Sequence, residues 1–168
     1  AISRSPFTFA SQVHAYSGQM WSASLTLPPM KLTAARQWTA WLTSLRGQYG
    51  SFLLGDTSCC QISGTATSAI VNGSAGDNTV NVTTVGTILA GDMIQISTGA
   101  DATLHKVLAD RSGSGALEIW PALRKDRASI ALTFTNAKGA FRLASNEVSW
   151  SVDEANIYGI SFSAVEKI

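Results

Sequence analysis

One stretch of the chain changes hydrophobic period, and that change constrains the fold more than any other feature. Over residues 20–27, "MWSASLTL", Met20, Ser22, Ser24 and Thr26 fall on one side and Trp21, Ala23, Leu25 and Leu27 on the other. That is the alternation of a half-buried strand. Pro28-Pro29 ends it, because proline gives no N–H to a ladder and restricts the residue before it. From 33 to 46 the spacing becomes helical, with Ala34, Trp38, Trp41, Leu42 and Leu45 on one face. Thr33 is placed as the N-cap, Gly47 as the C-terminal stop, and Arg46 in the last turn, where a cation is favoured. "GSFLLGD" at 50–56 follows as a strand expected to bury nearly everything it carries. No other segment takes the helical period, so the sequence predicts a mainly β protein with one main α-helix.

Residues 57–141 have a different texture, with short β-like runs between Gly, Ser, Asn and Asp clusters. "NTVNVTTV" at 78–85 alternates. "GDMIQI" at 91–96, "TLHKVLAD" at 103–110, "ALEIWPAL" at 116–123 and "SIALTFT" at 129–135 read as further strands, and "RSGSG" at 111–115 as the turn of a hairpin. About five strands at roughly ten-residue spacing predict a small barrel or sandwich. This segment carries six basic and six acidic residues.

The last part, 142–168, returns to the first texture. Val148, Trp150 and Val152 share one face of a strand, and Tyr158, Ile160, Phe162 and Ala164 one face of another. Residues 1–56 carry net +3 (four basic, one acidic) and residues 142–168 net −2 (two basic, four acidic). We expect 1–56 and 142–168 to form one discontinuous β domain with the helix at 33–46. Residues 57–141 would be an inserted small β-barrel that closes its own core. A chain of 168 residues can bury about two thirds of its unfolded surface, enough for such a core. On this reading, deleting 60–139 leaves the flanking domain folded.

The chemistry-bearing residues are few. Charged residues make up 14% of the chain, against about a quarter in average domains, and the net charge is +1. Nucleic acid is not expected as a partner, since a phosphate-binding face needs clustered Lys and Arg. No apolar run reaches the ~18 residues of a membrane span, and no basic segment precedes an apolar one as in a signal peptide. The chain starts at Ala1 without Met, and further N-terminal sequence is expected before it. Cys59 and Cys60 are adjacent, where a vicinal disulfide is strained, and they read as two reduced thiols. His14 and His105 are isolated, so no metal set forms at sensible spacing. G-x-S-x-G, a P-loop and a dinucleotide fingerprint are all absent. Asp92 reads as a turn residue, and a Cys60–His105 nucleophile pair has no support from spacing. Asp153 and Glu154 diverge and do not read as a carboxylate pair. Trp38 and Trp41 read as core. Trp120, before Pro121, is kept as a possible ligand contact. Neither a catalytic residue nor a cofactor is expected, and the chain does not read as an enzyme.

The order "MWSASLTL", proline break, "TAARQWTAWLTSLRG", "GSFLLGD", inserted segment, "YGISFSAVEKI" resembles the distal tail proteins of long-tailed bacteriophages. That grouping includes the lambda-type minor tail protein family. "RLASNEVSWSVDEANIYGISFSAVE" is also similar to the C-terminus of small prophage tail proteins. The resemblance covers 18–56 and 142–168, and the insertion at 57–141 departs from the smallest members. It implies a tail-tube-like β-sandwich with an inserted β-barrel. It also implies a ring of copies, usually six, between the tail tube protein and the tail hub protein, located at the virion tail tip after assembly in the host cytoplasm. The helix would then be a packing element. The alternative reading is a carbohydrate- or cell-surface-binding β module centred on the insertion and Trp120.

Overall fold

The computed structural model describes residues 2–4, 6–7, 9, 11–13, 18–56 and 60–168, so His14 and Cys59 lie outside the described residues. β1 (Ile2–Arg4) and β2 (Ser11–Val13) pair with each other. The alternating segment at 20–27 forms β3 (Ser22–Thr26), and Pro28-Pro29 separates it from β4 (Met30–Lys31). α1 (Leu32–Ser44) follows, then β5 (Phe52–Leu54).

α1 differs from its sequence reading in three respects. It begins one residue early, with Lys31 extended at the cap position and no side chain capping it, so Thr33 lies inside the first turn. At the other end Arg46 is already left-handed (φ 52°), so it stands beyond the helix. Gly47 (φ 67°) continues the turn, and a Cβ there would press on Asn146, whose Oδ1 accepts the Gln48 N–H at 2.9 Å. The buried stripe is Ala35, Leu42 and Leu45; Ala34 is exposed, Trp41 half-buried and Trp38 37% exposed. A small residue at 35 lets the helix lie close to the sheet, and the two indoles, too large to fit beneath it, fill the flank. β5 also buries less than expected. Among the described residues it is an edge strand paired only with the later strand at 139–143, and alternation turns Leu53 away from the core at 46% exposure.

The insertion supplies β6 (Ala69–Gly73), β7 (Thr79–Thr84), β8 (Thr87–Ile88), β9 (Met93–Ile96), β10 (Thr103–Val107), β11 (Arg111–Ser112), β12 (Gly115–Trp120) and β13 (Arg127–Thr133). Six of these close an antiparallel barrel in the order β10-β12-β7-β6-β13-β9. β6 is a strand that the sequence reading lacks. The segment read only as a turn, 111–115, opens with β11, which pairs with β8. Alternate residues of each strand point inward: Val80 and Val82 of β7, Ile94 and Ile96 of β9, Leu117 and Ile119 of β12 are all within 2% of full burial. Each such side chain contributes about 1.5–3 kcal/mol by leaving water.

The chain leaves the barrel through β14 (Gly139–Leu143), then forms β15 (Trp150–Val152) and β16 (Ile157–Glu166). β14 pairs with β5, so the strands leading into and out of the barrel are neighbours. β16 is the organising strand. Tyr158 is paired with Met30 on one side and Val152 on the other, and Val165 with Ser22 on one side and Arg142 on the other. β3 and β4 therefore run along one edge of β16, and β15 and β14 along the other. The structure is mainly β, with one α-helix among the described residues and a closed six-stranded barrel.

Candidate functional site

Alternation along β16 puts Tyr158, Ile160, Phe162, Ala164 and Glu166 on one face of the sheet. Register adds Ala23 and Leu25 from β3, Phe141 and Leu143 from β14, and Phe52 and Leu54 from β5 to the same face. α1 covers one end of it, where Ala35, Leu42 and Leu45 pack with Leu143 and Ile160. The barrel covers the other end. Two adjoining hollows remain between these covers. The one beside α1 encloses about 510 Å³ and is lined by Trp38, Trp41, Phe52 and Phe162. The one beside the barrel encloses about 460 Å³ and is lined by Trp21, Met93, Leu104 and Phe141. Leu25 and Leu54, from opposite edges of the sheet, line both, so the two form one groove across a curled sheet.

The groove is chemically plain. Trp41 meets Phe52 and Phe162 edge-on, with centroids 5.2 and 5.9 Å apart, and Trp38 meets Trp41 in the same way at 5.5 Å. Among the described residues Gln37 is the one polar residue lining the α1 end, and Lys106, Asp56, Ser22 and Ser24 contribute at the barrel end. Such a surface accepts apolar side chains and offers few groups to orient a polar substrate.

The barrel is bonded to the sheet along a polar seam. Glu166, on β16, has a side chain only 1% exposed and pairs with Arg124 from the β12–β13 connection at 2.7 Å. The same carboxylate accepts the Trp21 N–H at 3.1 Å. Arg124 also donates to the Gln19 carbonyl, and Ala122 N–H to Gln19 Oε1 at 3.0 Å. Trp21 Nε1 donates to the Leu104 carbonyl at 2.8 Å, and Ala140 N–H to the Ala102 carbonyl at 2.8 Å. Trp120, the residue kept open for ligand contact, is half-buried in this seam, with its ring edge-on to Trp21 at 4.5 Å. Its ring therefore serves the junction between barrel and sheet. Sequence reasoning missed the seam because its partners lie 42, 83 and 145 positions apart, and no local pattern links them.

The titratable groups are occupied by structure. His105 is fully buried; its Nδ1 donates to the Pro121 carbonyl at 2.8 Å, which leaves Nε2 to accept from Thr103 Oγ1 at 2.9 Å. Burial pushes it down to about 4, so it is neutral at pH 7 and both ring nitrogens are engaged away from Cys60. Asp92 is buried and accepts the N–H groups of Ser63 (2.6 Å), Leu89 (2.8 Å) and Gly64 (3.3 Å), which ties the entry of β9 to two loops. Asp101 is held down to about 2 by hydrogen bonds from Lys125 and Arg127. Among the described residues no three His, Cys, Asp or Glu side chains converge on a possible metal position, and no helix is long and apolar enough to cross a membrane. Comparison with protein-family models and with curated proteins returns no match.

Proposed function

We propose that the chain is a structural, non-catalytic subunit of a phage or phage-like tail tip, one copy of a ring that joins the tail tube protein to the hub. The observation that carries this reading is the apolar surface left uncovered on the sheet–helix unit. Trp38 (37% exposed) and Leu53 (46%) flank the groove, and Trp150 (55%), Val152 (47%) and Ile157 (38%) stand on the β15–β16 hairpin. Large apolar side chains left exposed at these two places mark surfaces that other protein covers. The order of elements also supports it. β3, the proline break, α1, β5, the inserted barrel and β16 follow one another as in the tail proteins the sequence resembles. The placement of Trp120 gives no support to a carbohydrate- or cell-surface-binding module. In this reading the ring needs neither nucleic acid nor membrane.

Native mass spectrometry and negative-stain microscopy test the proposal. Rings of about six copies of the 17.7 kDa chain are expected, formed by the protein alone or with its tail-tube partner. A chain that stays monomeric under both conditions overturns it.

A further inference from the structure

The two ends of β16 carry opposite charge. At the Ile157 end, residues 150–157 of the β15–β16 hairpin are all exposed, with Asp153 and Glu154 at the turn. Asp153 Oδ1 accepts the N–H groups of Ile157 at 2.8 Å and Ala155 at 3.0 Å, which holds the turn in one shape. At the Glu166 end lies a hollow of about 150 Å³ walled by four cations, Arg124, Lys125, Arg127 and Lys167. Two carboxylates answer them. Asp101 pairs with Lys125 and Arg127 at 2.6 Å each, and Glu166 is buried on Arg124. Asp126 turns away to accept the Ala75 N–H at 2.9 Å. Among these side chains the cations exceed the carboxylates by two. Arg127 Nε is also buried with no hydrogen-bond partner among the described residues.

We propose that the acidic β15–β16 turn of one copy docks in this basic hollow of the next copy. The inference rests on the reading of the chain as a ring subunit and names the contact that builds the ring. A ten-residue strand separates the two patches, at about 3.3 Å per residue, so a single copy holds them about 30 Å apart and cannot join them. Contact between different patches of identical copies is heterologous, and such contacts close into rings when the rotation allows. The charges match in sign, the two carboxylates of the turn facing side chains in which cations outnumber carboxylates. The hollow has room for side chains at a turn, not for a broad surface. Trp150 and Val152, exposed beside the turn, supply apolar area that the neighbouring barrel covers.

Sedimentation velocity with charge-swapped variants tests the docking. Asp153→Asn/Glu154→Lys keeps the acceptor that shapes the turn and changes only exposed side chains, so the variant folds. Lys125→Glu/Lys167→Glu reverses the hollow. Assembly of the wild-type chain should weaken at least tenfold between about 20 mM and about 500 mM salt, as the Debye length falls from roughly 20 Å to roughly 4 Å. Each variant alone should sediment as a monomer at low salt, and an equimolar mixture should assemble, because every turn then finds a hollow of opposite sign. A turn variant that assembles like the wild type, or a mixture of folded variants that stays monomeric, overturns the docking and leaves the ring reading standing. A wild-type chain that is monomeric throughout the salt series overturns the docking as a contact that builds the ring unaided, and the measurement with the tail-tube partner then decides the ring reading.

Discussion

Replacing Arg124 with alanine tests whether the barrel is bonded to the sheet or merely lies beside it. The Glu166 side chain is 1% exposed, and Arg124 holds both of its oxygens, Nη2 on Oε2 at 2.7 Å and Nε on Oε1 at 3.1 Å. Without the guanidinium the carboxylate keeps the Trp21 N–H at 3.1 Å and loses its ion-pair partner. Leaving one partner of a buried ion pair uncompensated costs ~3–5 kcal/mol, a large fraction of the ~5–15 kcal/mol that holds a domain folded. At ~2–4 °C per kcal/mol for a chain of this size, the melting temperature should fall by ~6–20 °C. Thermal unfolding followed by far-UV circular dichroism at pH 7 gives the number. The control is Arg124→Met/Glu166→Leu, which removes both charges and fills similar volume. It should recover most of the loss, because burying two apolar groups avoids the desolvation cost of the pair. A fall of less than ~1 kcal/mol for Arg124→Ala, or no coupling in the double-mutant cycle, would mean that water reaches Glu166 and that the seam does not join the two units.

Trp41→Ala should destabilise by about 2–3 kcal/mol, toward the low end for an aromatic truncation because the ring is half-buried, while Trp38→Ala should cost under about 1 kcal/mol; equal effects in urea titration would show that the helix face is wrongly assigned. His105 sits at about 4 when folded against 6.5 in the unfolded chain, so as pH falls the unfolded state takes the proton first. Its contribution is full above pH 6.5 and is lost between 6.5 and 4, by roughly 3 kcal/mol, and stability measured over that window should fall for the wild type and stay flatter for His105→Gln. Asp101, held at about 2 against 3.8, adds a second loss as pH drops from 3.8 to 2. Deleting 60–139 behind a Gly/Ser linker removes Arg124 and the Leu104 carbonyl, leaving Glu166 and Trp21 Nε1 without those partners. The shortened chain should melt below the full one, and Glu166→Gln should raise it again; loss of the folded far-UV spectrum in both versions would show that the barrel completes the main sheet.

What the sequence reveals here depends on distance along the chain. "MWSASLTL" and "NTVNVTTV" alternate within their own lengths, and each becomes a strand where the alternation lies, since one-sided burial acts residue by residue. The helix is legible from its spacing, but its buried stripe is set by which residue lets the sheet approach. That is a property of β16 and of Ala35 together, more than a hundred positions apart, so Ala34 and Trp38 read as core and are not. β6 was missed because "AIVNG" is short and follows a Gly, Ser and Thr run, with no flanking signal to separate it from loop. Trp120 is the sharper case. A tryptophan before a proline in a polar hairpin looks like a surface contact. Its partner Trp21 lies just before β3, about a hundred residues earlier, and only the closing of the barrel against β16 brings the two rings to 4.5 Å.

The same reasoning explains why charge, more than any apolar pattern, points to how copies could meet. The opposite excess in the two ends of the chain, +3 over 1–56 and −2 over 142–168, is visible in composition but has no address there. Folding gives it one. The acidic part of the C-terminal segment divides: Glu166 is spent inside the molecule on Arg124, and Asp153 and Glu154 are left at the far end of the same strand in water. Three of the four cations that gather around Glu166 come from the barrel, whose own charges sum to zero, and the fourth, Lys167, follows Glu166 on the C-terminal segment. A segment balanced in composition thus presents a positive wall at the one place where it meets β16. The strand that carries the buried carboxylate to that wall starts beside a turn with two exposed ones about 30 Å away, at ~3.3 Å per residue. A monomer keeps both poles solvated. A second copy presents both of them in this geometry.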